Sequence, residues 1–137
     1  MVVSSGFALS KRSLANLEGV HPDLVRVVKR AIEITRVDFG VSEGLRTLER
    51  QKQLKEEGKS TTLKSRHLKQ ADGYGHAVDL YALDKSGKAT WKHEDFRPVI
   101  QALMTAAIEL DVQIQAGALW RTFLDSPHIQ LNPEYYA

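Results

Sequence analysis

There is no cysteine in the 137 residues. Disulfides, a thiol nucleophile, cysteine-ligated zinc and iron–sulfur clusters are therefore excluded. Any transition metal would have to rest on the five histidines and on carboxylates. No apolar run approaches the ~18 residues of a membrane span, so insertion into a membrane is not expected. The opening stretch, MVVSSGFALSKRS, lacks the basic segment and apolar core of a secretory signal, so the chain is expected to stay in the cytoplasm where it is made. Charge of one sign is also scarce: 19 Lys+Arg stand against 17 Asp+Glu, a net +2. The basic residues are scattered rather than clustered among aromatics, which argues against a nucleic-acid partner. No internal repeat and no low-complexity stretch is present.

What is present is ordinary globular composition, 42% hydrophobic and 26% charged. The length suits one domain over residues 1–137, with no room for a second core. Ser10 is placed to cap a short helix carrying Leu14 and Leu17 and ending at Gly19. In HPDLVRVVKRAIEIT, Leu24, Val27, Val28, Ala31 and Ile32 recur at helical spacing, with Pro22 and Asp23 suited to the first turn. Val37, Phe39 and Val41 alternate as in a short strand. Thr47 opens a charged helix closed by Gly58, and the charge run 52–57 reads as its solvated face. Residues 59–75 have no periodicity and read as loop. A strand over 76–83 and a turn at 84–87 follow. Phe96, Val99, Ile100, Leu103, Ala106, Ala107 and Leu110 mark a second long amphipathic helix. Short strands at 112–116 and 127–131 flank a loop at 117–126. This mixture without a βαβ rhythm predicts an α+β domain with a small antiparallel sheet packed against helices.

Two histidines, His21 before Pro22 and His93 in WKHED, read as surface positions at helix starts. The other three have more suggestive surroundings. His67 follows Ser65-Arg66. His76 opens the strand in which Ala77, Asp79 and Tyr81 share one face. His128 and Gln130 share a face of the last strand. A charged Asp79 amid Val78, Leu80 and Tyr81 needs a partner if buried. Two His and one carboxylate make the ligand set of a catalytic zinc. The spacing alone equally allows a hydrogen-bonded structural Asp and two unrelated loop histidines.

Three pieces, Ser65-Arg66-His67, Gly75-x-Ala77-x-Asp79 and Asp125-x-x-His128, resemble the signature of peptidase family M15, the zinc D,D- and L,D-peptidases. Gly44-Leu45-Arg46-Thr47 with Gln51 resembles that family's upstream Arg-Ser/Thr-x-x-x-Gln segment. The runs Leu17–Leu24 and Trp120–Phe123 are similar to small phage endolysins of the L-alanyl-D-glutamate type. The likeness covers nearly the whole chain. It implies the D-Ala-D-Ala peptidase and hedgehog-like superfold, with a zinc held by His67, Asp79 and His128 in a cleft on the sheet. It assigns catalysis to Asp125, as the proton-transfer group, and to Arg46, and sets Arg46, Gln51, Ser65 and Trp120 at the substrate. The implied substrate is a peptidoglycan stem peptide, cut at its L-Ala–D-Glu bond by a monomeric enzyme without a separate wall-binding domain. Such an enzyme would reach the wall only after release through the inner membrane, and would serve host lysis. A D-Ala-D-Ala carboxypeptidase or dipeptidase is the alternative within the family. A non-catalytic metal-binding module is the alternative outside it.

The chain departs from the family pattern in one place that matters. From His67 to Asp79 is twelve positions where the family has seven, so five residues within 69–74 look inserted. Without a gap, Asp72 would take the histidine's place. His67 is the preferred ligand, because its local run matches and a loop absorbs five residues at little cost. Residues 69–74 are then expected to bulge near the cleft mouth, with Asp72 in a turn off the metal and His76 outside the metal shell. Gln130 stands where many relatives carry Glu, and Ala118-Leu119 replaces a common Gly-Asp.

Overall fold

The computed structural model describes residues 4–58, 65–90, 92–117 and 128–137. The elements run α1 (Lys11–Asn16), α2 (Pro22–Ile34), β1 (Phe39–Glu43), α3 (Leu48–Glu56), β2 (Ala77–Leu83), β3 (Ala89–Thr90), α4 (His93–Leu110), β4 (Ile114–Ala116) and β5 (His128–Leu131). The α+β architecture is the expected one, and β3 is an addition to it.

Helix starts follow the capping chemistry in the sequence. Ser10 accepts from the Ser13 amide, and Thr47 from that of Arg50. His21 caps α2 through Nδ1, which accepts from the Asp23 amide at 3.0 Å. Helix α4 begins at His93, earlier than the apolar stripe indicates, so Pro98 lies inside it. The side chain of His93 lies outside the described residues.

The sheet order is β1-β2-β5-β4, all antiparallel. Strand β2 is central. One edge pairs with β1; the other pairs with β5 at Ala77–Asp79 and with β3 at Ala82 and Leu83. Leu24, Val27, Val28 and Ala31 of α2 and Val99, Leu103 and Ala106 of α4 are buried with Val78, Leu80, Ile129 and Leu131 of the sheet. Period-3.6 and period-2 stripes meet in a single core. The opposite face of β2 and β5 carries Asp79 and His128, which are cross-strand partners. No helix among the described residues is long and apolar enough to cross a membrane.

Residues 65–76 have little regular structure, yet their backbone is fixed. Arg46 N donates to His67 O at 2.8 Å, His76 N to Arg66 O at 2.8 Å, and Gly75 N to Gly19 O at 2.9 Å. The segment 69–74 closes on itself, with Gln70 N donating to Tyr74 O at 2.8 Å and Gly73 N to Gln70 O at 2.9 Å. Gly73 has φ +89, a left-handed conformation that glycine adopts without penalty.

Candidate metal centre

Each element delivers one group to a common point. Strand β2 presents Asp79, β5 presents His128, and the loop hydrogen-bonded to Arg46 presents His67. Their ligand atoms all lie within 4.8 Å of one another. His67 Nε2 is 3.3 Å from Asp79 Oδ1, and His128 Nδ1 is 3.3 Å from the same oxygen. The imidazole rings are 5.1 Å apart at 72°.

The hydrogen bonds around the cluster fix which nitrogens face inward. His67 Nδ1 lies 2.9 Å from the Gly44 carbonyl oxygen, which can only accept, so Nδ1 carries a proton. In the neutral ring Nε2 then holds the lone pair. Gln130 Nε2 donates to Gln115 Oε1 at 2.9 Å, which sets the amide so that Gln130 Oε1 accepts from His128 Nε2 at 2.8 Å. His128 Nδ1 is thereby the lone-pair nitrogen. Gln130 thus orients the ring.

Two imidazole lone pairs and a carboxylate oxygen therefore converge. Among the described residues, His67 Nε2 and Asp79 Oδ1 are buried without a hydrogen-bond partner. Three acceptors brought this close are stable only around a proton or a cation. Burial works to raise the Asp79 pKa, but when the imidazoles of His128 and His67 carry protons they outweigh it and hold the carboxyl well below the usual range. The donor set, two neutral nitrogens and one carboxylate oxygen, is that of a catalytic zinc with coordination left for water or substrate.

Arg46 lies beside the cluster and its side chain is only 9% exposed. Its Nη1 donates to Gln51 Oε1 at 2.7 Å and lies 3.5 Å from Ser65 Oγ. Gln51 is fully buried. Three of the residues expected at the substrate, Arg46, Gln51 and Ser65, are thus one hydrogen-bonded group next to Asp79. Asp125 and Trp120 lie outside the described residues.

Asp72 sits elsewhere. Its Oδ2 is 2.7 Å from His76 Nε2 and 3.7 Å from His21 Nε2, and its Oδ1 accepts from the Tyr74 amide at 3.0 Å. His76 Nδ1 lies 3.2 Å from Arg66 Nη2, which also donates to the Tyr136 carbonyl at 2.7 Å. His21 is more than a surface cap: its ring packs edge-on against Tyr74, His76 and Tyr136 at 5.4–5.5 Å. The residue that sequence reasoning passed over is Glu43, whose carboxylate takes Arg46 Nε at 2.6 Å and Nη2 at 2.9 Å. Its one sequence signal was an acid three residues before Arg46, a spacing that carries little meaning at a strand end.

A family model described as phage L-alanyl-D-glutamate peptidase matches residues 5–132. The L-alanyl-D-glutamate peptidase of Escherichia phage T5 is 33% identical over 118 residues, 83% of this chain and 82% of that protein. The crystal structure of the Serratia marcescens L-Ala D-Glu endopeptidase ChiX matches with TM-score 0.83 and 40% identity, covering 95% of each chain.

Proposed function

The chain belongs to the phage L-alanyl-D-glutamate peptidase family, and from that premise we propose that it is a zinc-dependent endolysin hydrolysing the L-Ala–D-Glu bond of peptidoglycan stem peptides. The observation that carries the metal reading is the convergence of His67 Nε2, His128 Nδ1 and Asp79 Oδ1 with His67 Nε2 and Asp79 Oδ1 buried and unsatisfied. A zinc ion held there supplies a Lewis acid for the scissile carbonyl and lowers the pKa of water toward ~7.

The protein's own groups supply the rest. Gly44 and Gln130 hold the two imidazoles in the tautomers that point lone pairs inward. Asp125, three residues before His128, is the carboxylate assigned to take a proton from water and pass it to the leaving amine. The family resemblance assigns substrate contacts to Ser65 and Trp120, buried Gln51 supports Arg46 through its 2.7 Å hydrogen bond, and Arg46 completes the charge balance beside Asp79. The enzyme acts as a monomer, is made in the host cytoplasm, and meets the wall once the inner membrane is opened.

Mass analysis of fragments from purified peptidoglycan tests the bond assignment. Cleavage at L-Ala–D-Glu leaves L-Ala on the glycan and releases peptides beginning with D-Glu. Release of free D-Ala instead would make the chain a D,D-carboxypeptidase. The Asp125→Asn variant should keep its fold and zinc and lose roughly 10²–10⁴-fold in rate. Near wild-type turnover would move the proton transfer to another group.

A further inference from the structure

Glu43 ends β1 beyond a register shift after Val41, directly across the strand pair from Asp79. The shift turns its side chain toward Arg46, the first residue past the strand's turn. Both carboxylate oxygens are engaged there, on Nε and Nη2, in the fork geometry that fits guanidinium to carboxylate. The remaining edge of Arg46 is shared among three neighbours. Nη1 goes to Gln51 and lies near Ser65, while Nη2 comes within 3.7 Å of Asp79 Oδ2. The edge best suited to clasp a substrate carboxylate is therefore held by the protein's own Glu43.

We propose that Glu43 is a positioning residue for the metal-ligand carboxylate, clamping Arg46 so that its outer edge faces Asp79 Oδ2 and leaves Oδ1 alone for the metal. This rests on the reading of His67, Asp79 and His128 as the zinc ligands. Asp79 then has divided duties: Oδ1 faces the two imidazoles, and Oδ2 faces Arg46. The charges explain why the clamp is needed. Arg46 is nearly buried, and among the described residues the carboxylate left to compensate it without Glu43 is Asp79. A guanidinium drawn fully onto Asp79 competes with the metal for the same negative charge. Glu43 removes that competition and keeps the ion pair short of collapse.

The test is zinc affinity, measured by competition with a chelator of known affinity on wild type, Glu43→Ala, Glu43→Gln and His128→Ala. Glu43→Ala should bind zinc ~10–100-fold more weakly, the range for groups that orient metal ligands, with Glu43→Gln between it and wild type. Glu43→Gln keeps one acceptor for Arg46 and decides the matter alone if Glu43→Ala does not fold. A purely structural Glu43 would lower the melting temperature of the metal-free variants and leave zinc affinity within about twofold of wild type, and that result overturns the proposal. His128→Ala separates the two levels: if it keeps its zinc in full, the ligand assignment itself is wrong and the role of Glu43 falls with it.

Discussion

The Gly44 carbonyl oxygen lies 2.9 Å from His67 Nδ1, and this contact selects the nitrogen that His67 turns toward Asp79. The position tolerates no side chain. A Cβ at residue 44 would collide with the backbone oxygen of Asn16 and come within 2.9 Å of Val20 Cγ2. Asn16 cannot easily yield, because its Nδ2 donates to Val41 O at 2.8 Å. Gly44→Ala should therefore cost ~1–3 kcal/mol in a urea titration, the range for overpacking a tight site, and should weaken zinc binding too. A loss under about 0.5 kcal/mol would show that the α1–β1 junction gives way freely.

The Asp72–His76 contact makes a prediction about acid. Burial works to raise the Asp72 pKa, but the His76 hydrogen bond, the Tyr74 amide and His21 together lower it. A lowered folded-state pKa contributes stability above the ordinary carboxylate value and loses it as pH falls through the folded value. Wild type should exceed Asp72→Asn in urea midpoint at neutral pH, with the gap closing below about pH 4. An equal gap at both ends would mean that charge on Asp72 contributes nothing.

Tyr136 gives the alkaline counterpart. Its hydroxyl donates to Asp23 Oδ2 at 2.9 Å. Burial and the Asp23 carboxylate push its pKa up to about 12. A raised folded-state value favours folding below the ordinary phenol range and loses that contribution as pH climbs through the folded value. Tyr136→Phe should leave the tyrosinate absorbance gained near pH ~10 unchanged and remove part of that gained near pH 12. Loss of the lower-pH signal instead would place Tyr136 in water.

The sequence made some of this visible and hid the rest for physical reasons. The α2 stripe from Leu24 to Ile32 and the alternation through β2 are periodic, because each element buries one face in a shared core. Strand β3 is two residues long, too short for alternation, and exists through its pairing with Ala82 and Leu83. His67, Asp79 and His128 stood out by motif, and the fold brings them together. The partners that orient them did not stand out. A backbone carbonyl such as that of Gly44 has no side-chain signature. Asp72 meets His21, 51 positions away in the chain, only because residues 69–75 fold back against Gly19 and Val20. Glu43 was hidden by its ordinariness: a charged residue at the end of a strand is usually solvated.

Zinc content after dialysis, compared among wild type, His67→Ala and Asp72→Ala, tests the central claim most directly. His67 faces Asp79 with its lone-pair nitrogen, while Asp72 is engaged with His76 and the Tyr74 amide. Wild type and Asp72→Ala should each hold one zinc per chain, and His67→Ala should lose it together with peptidoglycan hydrolysis. Zinc kept by His67→Ala and lost by Asp72→Ala would contradict the site described above and move the first ligand into the inserted segment.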